Sequence, residues 1–194
     1  NLSTDTAPFS DVAADRWSAG YIAYCVEQGI INGMGDGTFV PEQELTGVAF
    51  AKMLLCALGY GQMDEYTGSS WSINTITDAL SVGLFSGNLS ADYSAGATRE
   101  EAALYAFNAL ETETVTAVYQ WDSGTRYVTS YSVDSTTLGY QKYTLGYHYG
   151  VVLDNESNSA STLDGKTMIL DDLSTTSTTS ITLSIESTID QIGS

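Results

Sequence analysis

The chain is short of basic residues, histidine, cysteine and long apolar runs, and each shortage closes off a class of function. Six Lys and Arg stand against 24 Asp and Glu, a net charge of −18. Charge of that sign repels phosphate backbones and anionic lipid surfaces, so nucleic acid is not expected as a partner. The single histidine, His148, excludes multi-histidine metal sites, and no Gly-x-Ser-x-Gly elbow supplies a serine nucleophile. The acids are dispersed rather than clustered, so neither a metal site nor a cofactor is assigned. Hydrolysis by two carboxylates needs only two acids at the right separation, but nothing singles out such a pair, and no residue is read as catalytic. Cys25 and Cys56 cannot make a disulfide framework and neither sits in a Cys-x-x-Cys pair. They lie on or beside apolar helical faces, which leaves two readings open: small buried thiols, or one disulfide if their Cα atoms are close enough. No run of about 20 apolar residues exists to span a membrane. The opening Asn1-Leu2-Ser3-Thr4 is not the charged-then-apolar pattern of an export signal.

What is present is enough apolar content, 43% of 194 residues, to bury one core or two small ones. Composition changes near residue 112. Ala, Leu and Met precede it; Thr, Ser, Tyr and Gly follow, with no proline beyond it. The reading is therefore α+β: a helical domain over 1–112, a small antiparallel β domain over 113–173, and a Ser/Thr linker with a terminal strand over 174–194.

The helical part contains a repeat. Trp17, Ile22, Cys25, Val26, Gly29, Ile30 and Gly33 recur 54 residues later as Trp71, Ile76, Ala79, Leu80, Gly83, Leu84 and Gly87. Thr46, Phe50, Met53, Leu54, Ala57 and Leu58 recur 52 residues later as Thr98, Ala102, Tyr105, Ala106, Ala109 and Leu110. Each unit, about 9–59 and about 71–110, reads as helix, loop, helix. Apolar residues at 50, 53, 54, 57 and 58, and at 102, 105, 106, 109 and 110, follow the spacing of one buried helical face. Thr98-Arg99-Glu100-Glu101 has capping-box form, and Gly29, Gly59 and Gly83 suit left-handed helix ends.

The second half alternates instead. Val115, Ala117, Tyr119 and Trp121 take every second place before Asp122-Ser123-Gly124-Thr125. Tyr127, Thr129, Tyr131 and Val133 do so after it, which predicts a hairpin. Further strands are predicted at 141–145, 147–153 and 166–170. The polar run 174–180 then leads to a strand-like segment carrying Ile181, Leu183, Ile185 and Ile189. His148, in a tyrosine-rich run, is read as a cross-strand packing residue.

Phe9-Ser10-Asp11-Val12, Trp17, Gly29-Ile30-Ile31-Asn32-Gly33 and Asp36-Gly37-Thr38-Phe39-Val40-Pro41 stand in an order and spacing that resembles the S-layer homology family. The likeness covers 9–59 well and 71–110 more loosely. It implies a helical repeat bundle that grips an anionic, often pyruvylated, secondary cell-wall polysaccharide, and an extracellular place on the cell wall or in a surface layer. It further implies that the Thr98, Arg99, Glu100 segment contacts the glycan, because a guanidinium fork at a helix start can hold a carboxylate. The first unit reads Thr46-Gly47-Val48-Ala49-Phe50 and lacks both Arg and Glu there. Trp17 and Trp71, at matched places, are either sugar-stacking platforms or walls of the core and groove. An alternative is a self-assembling subunit of a layer or filament, a homo-oligomer in which the strand from Ile181 onward adds to a neighbour's sheet.

Overall fold

The computed structural model describes residues 8–88, 92–146, 148–155, 167–173 and 180–184. It divides into two compact units, Asn1–Leu145 and Gly146–Ser194. The class is α+β, with helices first and antiparallel strands after. The change of composition near residue 112 marks the passage from helix to strand, while the first compact unit runs on to Leu145.

In the first unit, α1 (Ala19–Glu27) and α2 (Gly47–Leu58) form one helix-loop-helix, and α3 (Trp71–Ser81) and α4 (Arg99–Glu111) form a second. Thr46 and Thr98 cap the second helix of each, with extended backbone and a hydroxyl that accepts from the N–H three residues on, at 3.2 and 3.1 Å. Such caps satisfy one of the N–H groups left orphaned at a helix start. Gly59 ends α2 at φ 108°, and a Cβ there would stand 2.1 Å from the carbonyl oxygen of Val115. Only glycine serves at this crossing of α2 and the chain beyond α4.

The buried stripe of α2 differs from the predicted face. Val48, Ala51, Leu55 and Leu58 are the most buried, while Phe50, Met53, Leu54 and Ala57 are partly so. The cause is that α2 is apolar nearly all round and packs on two sides. Met53 joins a cluster of Val12, Ala19, Ile22 and Ile31 with α1. The other side joins the main core, where Ala51, Leu55 and Leu58 meet Tyr66, Ala79, Leu84, Phe85, Tyr105 and Ala109. In α4 the predicted face does turn inward, led by Tyr105 and Ala109.

Strands β1 (Glu113–Asp122) and β2 (Thr125–Thr137) form the expected hairpin, a two-stranded antiparallel ribbon. Ser123 and Gly124 both have positive φ, as a tight hairpin turn of matching twist requires. The facing of the two strands is not the simple alternation predicted. Ala117 pairs with Tyr131 and Val118 with Ser130, but Tyr119 pairs with Val128 and Trp121 with Arg126. A bulge at Thr129 therefore puts Arg126 and Val128, not Tyr127, on the face shared by Tyr131 and Val133. The base of the hairpin is tied to the helices: the Tyr131 hydroxyl donates to Glu65 Oε1 (2.6 Å) and accepts from the Gln62 N–H (2.8 Å). The Tyr131 ring also meets Tyr60 edge-on at 5.1 Å.

Of the segment predicted as a strand at 141–145, residues 141–143 instead belong to α5 (Leu138–Tyr143), with Thr144 and Leu145 just beyond it. Thr137 caps it, Leu138 is buried in the main core, and Gly139 lies against the Leu110 backbone at the end of α4. Tertiary packing overrides the β preference of its tyrosines.

The second unit is a three-stranded antiparallel sheet of β3 (Gly150–Asn155), β4 (Thr167–Asp172) and β5 (Ser180–Ser184), in the order β3-β4-β5. These begin within a few residues of the predicted positions. The imidazole Nδ1 of His148 lies 2.9 Å from Oδ2 of Asp172, a buried carboxylate on β4. His148 thus works through a polar pair across the sheet rather than through apolar packing.

Candidate functional site

The starts of α2 and α4 occupy matched places in the two repeats and are built in opposite ways. At α2 every first-turn donor is used. The Gly47 N–H donates to the Ala95 carbonyl (3.1 Å) and the Val48 N–H to the Tyr93 carbonyl (2.8 Å). The Ala49 N–H takes the Thr46 hydroxyl and the Phe50 N–H the Thr46 carbonyl. The Ala97 N–H closes the junction on the Leu45 carbonyl (2.8 Å), beside a bridge between Thr46 and Gly96. Tyr93 is fixed in turn by stacking on Phe85, 3.9 Å between centroids. The loop that precedes α4 therefore plugs the start of α2. A Cβ at Gly47 would lie 3.2 Å from the Tyr93 carbonyl oxygen, so the glycine where a charged side chain was looked for is explained by close packing.

At α4 the start is open. Thr98, Arg99 and Glu100 are exposed. The capping box is complete: the Thr98 N–H and hydroxyl both donate to Glu101 Oε2 (2.9 Å each), and the Glu101 N–H donates to the Thr98 hydroxyl (3.1 Å). The Thr98 backbone N–H, then its hydroxyl, hold the Glu101 carboxyl below the usual carboxylate range. Arg99 makes no ion pair among the described residues. Glu100 and Glu101 already place negative charge at the positive end of the helix. An anion arriving here is thus drawn chiefly by the Arg99 guanidinium.

The two tryptophans part company as well. Trp17, in the turn before α1, is 80% exposed and heads a stripe with Tyr21 and Tyr24, its ring 6.3 Å from that of Tyr21. Trp71, the first residue of α3, is half-buried with the Lys52 ammonium 5.6 Å from its ring centroid, a contact that joins α2 to α3. Only Trp17 of the pair offers an open face.

Phe9-Ser10-Asp11-Val12 acts as a clamp on the 33–41 loop. The Asp11 carboxylate accepts from the N–H groups of Phe39 (2.9 Å) and Val40 (2.7 Å), the Ser10 N–H donates to the Gly37 carbonyl, and Phe9 stacks on Phe39. The Phe39 N–H leads in keeping the Asp11 carboxyl below its ordinary range. Asp36 accepts from the Thr38 N–H and hydroxyl, so Asp36-Gly37 is a turn.

Cys25 and Cys56 are free thiols packed on different clusters, the α1 cluster and the main core, rather than a bonded pair. Burial raises both thiols. Ile181 and Leu183 lie in β5, where they pair with Leu170 and Met168 of the same chain. Ile185 and Ile189 lie outside the described residues. The Glu65–Tyr131 tie joins groups 66 residues apart, and no local pattern in the sequence announces it. No helix among the described residues is long and apolar enough to cross a membrane.

Residues 8–51 match the S-layer homology domain. The chain is 41% identical over 49 residues, 25% of its length, to Cell surface glycoprotein 1 of Acetivibrio thermocellus, and those residues are 2% of that protein. It is 32% identical over 110 residues, 54% of its length, to an Endoglucanase of Bacillus sp. strain KSM-635, of which they form 12%. It is 33% identical over 87 residues, 41% of its length, to the Surface-layer 125 kDa protein of Lysinibacillus sphaericus, 7% of that protein. The chain thus spans only a small part of each of these relatives. No solved structure matches it. The match to the S-layer homology domain at residues 8–51, with these relatives, supports a cell-surface, cell-wall-associated location.

Proposed function

We propose that this chain is a non-catalytic attachment module that holds a surface protein on the cell wall by binding an anionic, pyruvylated-type secondary cell-wall polysaccharide. The observation that carries the reading is the exposed Arg99 at the open start of α4, in a chain whose matched position in the first repeat is sealed. Arg99 receives the carboxylate in two parallel hydrogen bonds. Thr98 and Glu100 border it, and Trp17 supplies an aromatic face on the first repeat. Trp71 contributes packing between α2 and α3 instead. The relatives favour attachment over chemistry: parts of this chain resemble 12% of an endoglucanase and 7% of a surface-layer protein, two proteins named for different things.

Co-sedimentation with purified cell-wall sacculi tests this. The chain is expected in the pellet, with Arg99→Ala weakening retention about tenfold, the value of one charge-assisted contact. A chain that stays in the supernatant overturns the reading.

A second reading is assembly through β5 into a layer or filament. It is favoured by the position of β5 as an edge strand that pairs with β4 alone in the sheet order. A strand so placed can pair with β4 of a second copy using the same hydrogen bonds. Oligomers seen by light scattering that vanish when the chain ends at Leu173 would support it, and oligomers that persist would remove it.

A further inference from the structure

The hairpin carries a second cluster with the makings of a ligand site, apart from the repeats. The Arg126 guanidinium lies 3.9 Å from the centroid of the Tyr119 ring, a stacking that orients the charge while leaving its N–H groups free to bond. The bulge at Thr129 produces this contact, because it brings Arg126 onto the side of the ribbon that Tyr119 and Trp121 share. Arg126 makes no ion pair among the described residues, in a chain with 24 acids.

Tyr119, Arg126, Tyr127 and Val128 form one wall of an open cleft of about 460 Å³, and Gln62, Met63 and Asp64 form the other. That volume is within the range of small-molecule sites. The walls are held at a fixed separation. Tyr131 binds both Glu65 and the Gln62 N–H, and Glu65 accepts from the N–H groups of Gly61 (2.7 Å) and Met63 (2.8 Å). The cleft is therefore preorganised by a tie that joins the hairpin to the loop after α2.

The chemistry selects the ligand class. A carboxylate and a primary amide accept and donate to ring hydroxyls, and a guanidinium forks a carboxylate. An apolar ligand would leave Asp64, Gln62 and Arg126 desolvated and unpaired. We infer that this cleft binds an acidic sugar, with its carboxylate on Arg126 and its hydroxyls on Asp64 and Gln62. The site deepens the glycan-binding reading but does not use Arg99, so the two stand or fall separately.

The test is titration of the full chain, labelled for backbone amide NMR, with glucuronic acid and with glucose at millimolar concentrations. Glucuronic acid is expected to shift the amides of Gln62 to Asp64 and Tyr119 to Val128. Glucose should do so about tenfold more weakly, the loss of one charge-assisted contact. Arg126→Gln should remove the preference between the two sugars, with its unperturbed amides reporting an intact fold. Arg99→Ala should leave the cleft shifts unchanged. Absence of cleft shifts with glucuronic acid, or a preference for glucuronic acid over glucose retained in Arg126→Gln, overturns the assignment. Loss of the cleft shifts in Arg99→Ala would also overturn it, by assigning them to the start of α4.

Discussion

Leu55 and Phe107 stand at matched places in the second helices of the two repeats, 52 residues apart, yet Leu55 is fully buried and Phe107 is 52% exposed. The difference teaches that a duplicated sequence does not duplicate an environment. The first copy's second helix, α2, is central and meets α3 and α4 as well as the α1 cluster. The second copy's helix, α4, has one buried face and a free start. Position in the bundle, rather than the repeat motif, decides which helix start is a packing junction and which is open.

Substitution at the matched pair should expose that asymmetry most strongly. Leu55→Ala is expected to cost about 2–5 kcal/mol, the loss of a buried leucine plus the cavity it leaves. Phe107→Ala should stay within about 0.5 kcal/mol, as an exposed change does. Chemical denaturation of both variants measures this, and equal losses would mean that the two helices are packed alike.

The caps give a smaller contrast. Thr98→Ala should cost about 1 kcal/mol, because it removes the hydroxyl that Glu101 both accepts from and donates to. Thr46→Ala should cost less, since the hydroxyl accepts a single bond and the carbonyls of Tyr93 and Ala95 still hold the α2 start. The same denaturation experiment ranks them, and a larger loss at Thr46 contradicts the plugged junction.

The segments that follow the two second helices are tied to each other by Glu65 and Tyr131, and this tie should respond to acid. Burial raises the Glu65 carboxyl, but the Tyr131 hydroxyl and the N–H groups of Gly61 and Met63 outweigh it and leave it below its ordinary range. A depressed carboxyl contributes stability that is present above its unfolded value and lost as pH falls through its folded value. The hairpin should therefore loosen as pH falls below about 4.5, in a step that Glu65→Gln abolishes. Near-ultraviolet circular dichroism of the tyrosines follows this step, and an identical acid profile in Glu65→Gln would remove Glu65 as its cause.

Much of this was legible in the sequence because it is local. Thr98 and Glu101 are three residues apart, the turn at Ser123-Gly124 is adjacent in the chain, and the α4 face repeats within a few turns. The S-layer homology motif from Phe9 to Pro41 likewise lies in a short stretch. What escaped depends on distant partners. The face of α2 was misjudged because an all-round apolar helix has no single periodic signal, and α5 formed because Leu138 found the core. The bulge at Thr129 moved Arg126 across the ribbon, which strict alternation does not anticipate. At the site, Arg99 was readable from its motif, while the sealing of Gly47 by Tyr93 and Ala95 required coordinates.

Amide hydrogen exchange at the two helix starts tests the central claim most directly. The N–H groups of Gly47 and Val48, bonded to the carbonyls of Ala95 and Tyr93, should exchange slowly, with the protection of the surrounding core. Those of Arg99 and Glu100, at the open start, should exchange close to the rate of an unstructured chain. Fast exchange at Gly47 and Val48, or strong protection at Arg99 and Glu100, would contradict the account of one sealed and one open start.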